Sequence, residues 1–219
     1  MPHRGRFVVF EGGEGAGKST QARLLADRLG ARLTREPGGT ALGEMLRGLL
    51  LDPELCDLDP RAELLLMVAA RAQHVGRVVA PALEAGSDVV CDRFSGSTLA
   101  YQGYGRGLPL DDVAEACALA GRGIVPDVTV LLDVAPQVAR HRHAVAGDGA
   151  RTDRIEAAGE AFHERVRTGF LEIAAGAGWV VVDGSGSVEE VAAVVADAVG
   201  RAIGAPSAPR GLRDGEPVP

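Results

Sequence analysis

Gly12-Gly13-Glu14-Gly15-Ala16-Gly17-Lys18-Ser19-Thr20 follows directly on Arg6-Phe7-Val8-Val9-Phe10 and leads into a stretch with helical spacing. The first run is β-branched and aromatic and stops at glycines, which is the profile of a buried strand. From Lys18 to Leu29, apolar residues recur at Ala22, Leu25, Ala26 and Leu29, and Gly30 stands where a helix would end. Strand, glycine-rich loop and helix in that order give G-x-x-x-x-G-K-[ST] its required context. Such a loop turns successive backbone N–H groups around a phosphate, and the helix adds its positive N-terminal end. Gly12, Gly13, Glu14, Gly15, Ala16, Gly17, Lys18, Ser19 and Thr20 are therefore the expected ATP-binding segment. Lys18 would reach the β- and γ-phosphates, and the Ser19 hydroxyl would ligate Mg²⁺. A glycine turn that merely joins strand to helix would not need the lysine. Lys18 is the sole lysine in a chain with 22 arginines.

Outward from this loop, strand-like and helix-like segments alternate. Strands are expected at 31–34, 88–91, 128–132 and 179–182, and helices at 41–51, 61–85, 110–122, 136–145, 155–175 and 187–203. Pro81 should bend or restart the second of these helices. Alternation of this kind predicts an α/β fold: a five-stranded parallel sheet covered on both faces by helices, in three αβα layers. Residues 1–205 then form one domain with a small mobile lid at about 140–155. The segment 206–219 has four prolines and two glycines in fourteen residues and reads as a disordered tail.

Composition narrows the function classes. The 219 residues hold 23 basic and 30 acidic side chains, a net charge of −7, which argues against duplex DNA or an anionic membrane as partner. No apolar run approaches the roughly 20 residues of a membrane span. The first residues lack a signal-peptide pattern, so a cytoplasmic location is expected. Cys56, Cys91 and Cys117 are widely spaced and odd in number, and read as buried free thiols rather than a disulfide or zinc framework. The chain has no asparagine, so the Asn-Lys-x-Asp guanine clamp of GTPases is absent.

A second phosphate pocket is legible at the same sheet edge. Asp92-Arg93 follows the third strand, and Arg35-Glu36-Pro37-Gly38-Gly39 follows the second. Parallel strands deliver their carboxyl-end loops to one rim, where a carboxylate can organise a metal and a guanidinium can grip a phosphate. Arginine suits a monophosphate, since its fork fixes orientation as well as charge. Arg71 lies on the long helix behind these loops. Asp57, Asp59, Asp111 and Asp112 read as helix-start acids, and His141-Arg142-His143 as an exposed helix face.

Phe10-Glu11-Gly12, Gly17-Lys18-Ser19-Thr20, Thr34-Arg35-Glu36-Pro37-Gly38-Gly39, Ala69-Ala70-Arg71, Asp92-Arg93, Ser97-Thr98, Ala100-Tyr101-Gln102-Gly103, Pro126-Asp127 and Asp153-Arg154-Ile155-Glu156 occur in this order. As an ordered set they resemble bacterial thymidylate kinases, P-loop nucleoside monophosphate kinases, from about residue 6 to 200. The resemblance implies a cytoplasmic nucleotide-biosynthesis transferase, usually a homodimer, that converts ATP and dTMP to ADP and dTDP with Mg²⁺. It implies that Ser19 and Asp92 serve the metal and that Lys18, Glu14, Arg35, Arg93 and Asp92 carry the chemistry. dTMP would meet Glu14, Arg35, Glu36, Met67, Arg71, Arg93, Ser97, Thr98, Tyr101 and Gln102. Arg71 would bond a thymine carbonyl, and Tyr101 would pack under the deoxyribose. Met67 stands where the family commonly has a ring stacked on thymine. Gly15 stands where some members have a P-loop arginine, so a lid arginine must supply that charge. Arg151 is the expected one, with Arg154 as its support and Arg140 and Arg142 as alternates. Two other readings stay open: a deoxynucleoside kinase, which accepts an unphosphorylated sugar, and a catalytically silent nucleotide-binding module.

Overall fold

The computed structural model describes residues 4–135, 137–139, 142 and 153–204. At its centre, β1 (Phe7–Glu11) is buried along its whole length. On either side it pairs in parallel with β3 (Val89–Asp92) and β4 (Val128–Asp133). The outer strands are β2 (Arg32–Arg35) and β5 (Val180–Asp183), giving the all-parallel order β2-β3-β1-β4-β5. This is the five-stranded αβα architecture expected from the alternation of strands and helices.

The period of two along β1 decides which helices cover which face. Val8 and Phe10 point to one side, with Val90, Val130 and Leu132, and meet α1 (Lys18–Leu29) through Ala22, Leu25 and Ala26. The last helix, α8 (Val188–Gly204), closes the same face through Val191, Val195 and Val199. Phe7 and Val9 point the other way, against Val75, Val79, Leu83 and Phe94. Phe7 and Phe10 are wholly buried, and each such side chain contributes about 1.5–3 kcal/mol of transfer free energy.

Two helices frame the cleft above the sheet: α2 (Ala41–Leu51), capped by Thr40, and α3 (Pro60–His74), capped by Asp59 with Pro60 in its first turn. The expected helix over 61–85 runs through, but not uniformly. A π-helical stretch at Val75–Val79 precedes α4 (Ala80–Glu84), with the Ala80 N–H bonded five residues back to Val75. Pro81, which can donate no hydrogen bond, falls just after this widened turn.

One helical segment was not expected. α5 (Ser95–Thr98) continues as a π-helical stretch over Leu99–Gly105. Next come α6 (Leu110–Gly121) and α7 (Glu160–Ala177), the latter beginning only at Glu160 because a 3₁₀ turn at Glu156–Ala158 and Gly159 (φ 89°) intervene. The helix expected at 136–145 lies mostly outside the described residues, as do Arg140, Arg151 and the segment 206–219. Of the cysteines, Cys91 and Cys117 are buried but Cys56 is exposed, contrary to expectation. No described helix is long and apolar enough to cross a membrane.

Candidate active site

Every strand ends at the same rim, so β1, β2 and β3 deliver Glu11, Arg35 and Asp92 to neighbouring positions. The loop after β1 hugs β4 closely: a Cβ on Gly12 (φ 142°) would stand 2.4 Å from the Leu132 carbonyl oxygen. Gly17 is left-handed and opens α1 (φ 88°). Lys18 is buried, and its Nζ donates to the Gly13 carbonyl at 2.6 Å. Burial lowers its pKa to about 8, helped by the nearby Arg93 charge and opposed by Glu14, Asp92 and Glu11. A phosphate placed against it would favour the ammonium form further.

Ser19 donates its hydroxyl to Asp92 Oδ2 at 2.5 Å. The other carboxylate oxygen, Oδ1, is buried and has no hydrogen-bond partner among the described residues. An alcohol oxygen and a half-used carboxylate are hard donors of the kind Mg²⁺ takes together with substrate phosphates. Among the described residues no group of three or more His, Cys, Asp or Glu side chains could hold a metal. The donor set therefore fits a metal shared with a nucleotide rather than one caged by protein alone.

Arg93 occupies a left-handed backbone conformation (φ 71°), uncommon for a non-glycine residue, and its N–H bonds to the Phe10 carbonyl. Its guanidinium donates to Glu14 Oε1 (2.5 Å), the Gly12 carbonyl (2.8 Å) and Ser97 Oγ (2.9 Å). It also lies over the Tyr101 ring at 5.1 Å, and the Tyr101 hydroxyl donates to Glu14 Oε1 at 3.1 Å. Beneath it, Glu11 accepts from the Phe94 and Ser97 amides and the Ser97 hydroxyl. Burial raises Glu11 to about 7 despite these bonds and the Arg93 charge.

The second pocket is framed by a buried polar chain. Arg71 donates to Glu36 Oε2 (2.7 Å), Thr98 Oγ1 (2.8 Å) and Cys117 Sγ (3.2 Å). His74 joins Glu36 Oε1 to Thr34 Oγ1. Arg35 is exposed and donates to Glu44 Oε2 at 2.8 Å. Lys18, Ser19, Glu14, Arg35, Glu36, Met67, Arg71, Asp92, Arg93, Ser97, Thr98, Tyr101 and Gln102 all line one cleft. The same cleft is lined by Arg47, which sequence reasoning did not single out, and by Asp153 and Ile155 of the motif at 153–156, which had no expected site role. Arg47 donates to the Pro37 carbonyl, and burial followed by the Arg35 charge lowers its pKa.

Two lid assignments meet different geometry. Arg154 is buried, with its guanidinium paired with Glu63 at 2.6 Å and donating to the Leu50 carbonyl. Arg142 is not an exposed-face residue: it reaches the carbonyls of Gly15 (3.4 Å) and Gly184 (2.7 Å), joining the P-loop to the turn after β5. Arg151, like His141 and His143, lies outside the described residues.

Residues 10–195 match the thymidylate kinase family model. The chain is 53% identical over 173 residues to a thymidylate kinase of Gloeobacter violaceus, covering 77% of this chain and 81% of that one. It is 47% identical over 208 residues to one from Solidesulfovibrio magneticus, covering 90% of this chain and all of the relative. A crystal structure of thymidylate kinase from Ehrlichia chaffeensis superposes with a TM-score of 0.71 at 32% identity, covering 90% of this chain and 99% of that one.

Proposed function

The chain belongs to the thymidylate kinase family, and from that membership we infer that it phosphorylates dTMP to dTDP with the γ-phosphoryl group of ATP. The observation that carries the reading is a single cleft lined both by Lys18 and Ser19 of the glycine loop and by Arg35, Arg71 and Arg93 of the second pocket. Two facing cationic sites are what transfer between two phosphates requires.

Little covalent work is asked of the protein, because the acceptor phosphate is already an anion. Positioning and dispersal of charge carry the rate. In this reading the glycine loop and Lys18 hold the β- and γ-phosphates. Arg93 and Arg35, with Arg47 beside them, grip the dTMP phosphate. Glu14 fixes the Arg93 guanidinium through their ion pair. Ser19 and Asp92 would hold Mg²⁺ together with phosphate oxygens, and the ion would neutralise charge on the nucleotide.

Arg71 has five N–H donors, three of which are bonded to protein, so a thymine carbonyl can take another. Thr98 and Gln102 line the base pocket, Met67 lies against the base face, and Tyr101 supports the deoxyribose. We assign the residues at about 140–155 as a lid that closes over the phosphates, with Arg151 as its phosphate-reaching arginine. Arg154 anchors the end of that segment through Glu63. The assembly is taken as a homodimer working in the cytoplasm.

An ADP-release assay across a panel of nucleoside monophosphates tests the reading. dTMP should be turned over fastest. Preference for another monophosphate, or nucleotide binding without ADP release, would overturn it.

A further inference from the structure

Gln102 is wholly buried at the wall of the cleft, and its amide is used on one side only. Nε2 donates to Glu63 Oε1 at 2.7 Å, while Oε1 has no hydrogen-bond partner among the described residues. A buried carbonyl oxygen left without a donor is destabilising, so something that enters the cleft should supply one. Glu63 is equally constrained. It lies on α3, fully buried, and is bonded by Arg106 (3.1 Å) and Arg154 (2.6 Å). Burial alone would raise its carboxyl, but hydrogen bonds from Arg106, Gln102 and Arg154 outweigh that and hold it below the usual range. An ionised carboxylate accepts and never donates. The Gln102 amide must therefore turn its NH₂ toward Glu63 and its oxygen toward the ligand.

We propose that Glu63 is a positioning residue for base selection: by fixing the polarity of the Gln102 amide, it makes the cleft accept a pyrimidine with an N–H at ring position 3 and reject one with a bare nitrogen there. Thymine carries that N–H, whereas cytosine presents a lone pair. Two acceptors facing each other leave Gln102 Oε1 unpaired and repel the cytosine ring. The base is thus read through a residue that does not line the cleft. This inference rests on the placement of the base beside Gln102 in the preceding reading.

The test is the ratio of kcat/KM for dTMP to that for dCMP. Glu63→Gln introduces an NH₂ group that can donate, so the Gln102 amide is free to reverse. The ratio should fall at least tenfold in Glu63→Gln, with the dCMP value rising relative to dTMP. An unchanged ratio in a folded Glu63→Gln protein would overturn the proposal. If Glu63→Gln does not fold, Arg106→Gln decides in its place. Of the two charged partners of Glu63, Arg106 and Arg154, it removes one and lets the carboxyl protonate more readily. Its dTMP/dCMP ratio should drop as pH falls from 8 to 5.5 while that of the unaltered protein stays level, and level ratios in both would overturn the proposal. Failure of the unaltered protein to phosphorylate dTMP at all would instead remove the functional reading beneath it.

Discussion

Ser19 Oγ lies 2.5 Å from Asp92 Oδ2, joining the first turn of the P-loop helix to the carboxyl end of β3. The contact brings two hard oxygen donors to the position where strand β3 meets the phosphate loop. Asp92→Asn keeps the shape and the hydrogen-bonding oxygen but removes the charge. The Mg²⁺ concentration giving half-maximal activity should rise by about tenfold or more, with kcat reduced. A Mg²⁺ titration at saturating ATP and dTMP checks this, and an unmoved midpoint would take Asp92 out of the metal site.

Lys18 is the buried cation of the glycine loop. Removing it with Lys18→Ala should lower kcat by at least about a hundredfold, since one well-placed charge contact in phosphoryl transfer supplies several kcal/mol. Steady-state turnover, alongside a thermal melt to show that the variant folds, measures it. Near-normal turnover would mean that the loop binds phosphate through its backbone alone.

Much of this was legible from the residues, and what was not has identifiable causes. Strand order needs long-range pairing, but strand and helix positions followed from periods of two and 3.6 and from caps such as Asp59 and Gly30. The helical segment at 95–105 escaped because Gly96, Gly103 and Gly105 weaken its helix signal. Two of those glycines answer to tertiary packing: a Cβ on Gly96 would meet Trp179 at 2.3 Å, and one on Gly105 would meet Phe162 at 2.6 Å. Neither partner is near in sequence. Arg47 carries no local mark that separates it from any helix arginine; only the approach of α2 to the loop after β2 reveals it. Arg154, expected beside Arg151 because it sits among lid residues, is held by Glu63 instead. Its partner Glu63 lies 91 positions earlier in the chain.

Tyr101 underlies the Arg93 guanidinium and bonds Glu14, so its ring is pinned where a sugar bound between the two pockets would rest. Tyr101→Ala should raise kcat/KM for the ribonucleotide relative to dTMP, because a 2′-hydroxyl would no longer be crowded. Competing the two substrates in one reaction gives the ratio directly. If the ratio does not move, the ring is not the steric gate.

Glu11 provides a pH signature independent of turnover. Burial raises its folded-state pKa to about 7 from an ordinary value of 4.5, against the opposing pull of the Ser97 hydroxyl and Arg93. The folded protein therefore holds this proton more tightly than the unfolded chain. The resulting stability is fully present below about pH 4.5 and is lost as pH rises through about 7. Glu11→Gln, which cannot titrate, should show a smaller decline in urea midpoint across that window. A decline equal to that of the unaltered protein would assign the proton to another group.

In the proposed reaction the cleft moves a phosphoryl group onto a phosphate that is already there. The most direct measurement supplies γ-labelled ATP and Mg²⁺ with dTMP and thymidine side by side, and follows the label into product. Label should appear in dTDP, with transfer to thymidine slower by orders of magnitude, since an unphosphorylated sugar leaves Arg35 and Arg93 without an anion to hold. Faster labelling of thymidine, or no transfer to either acceptor despite nucleotide binding, would contradict a phosphate acceptor in this cleft.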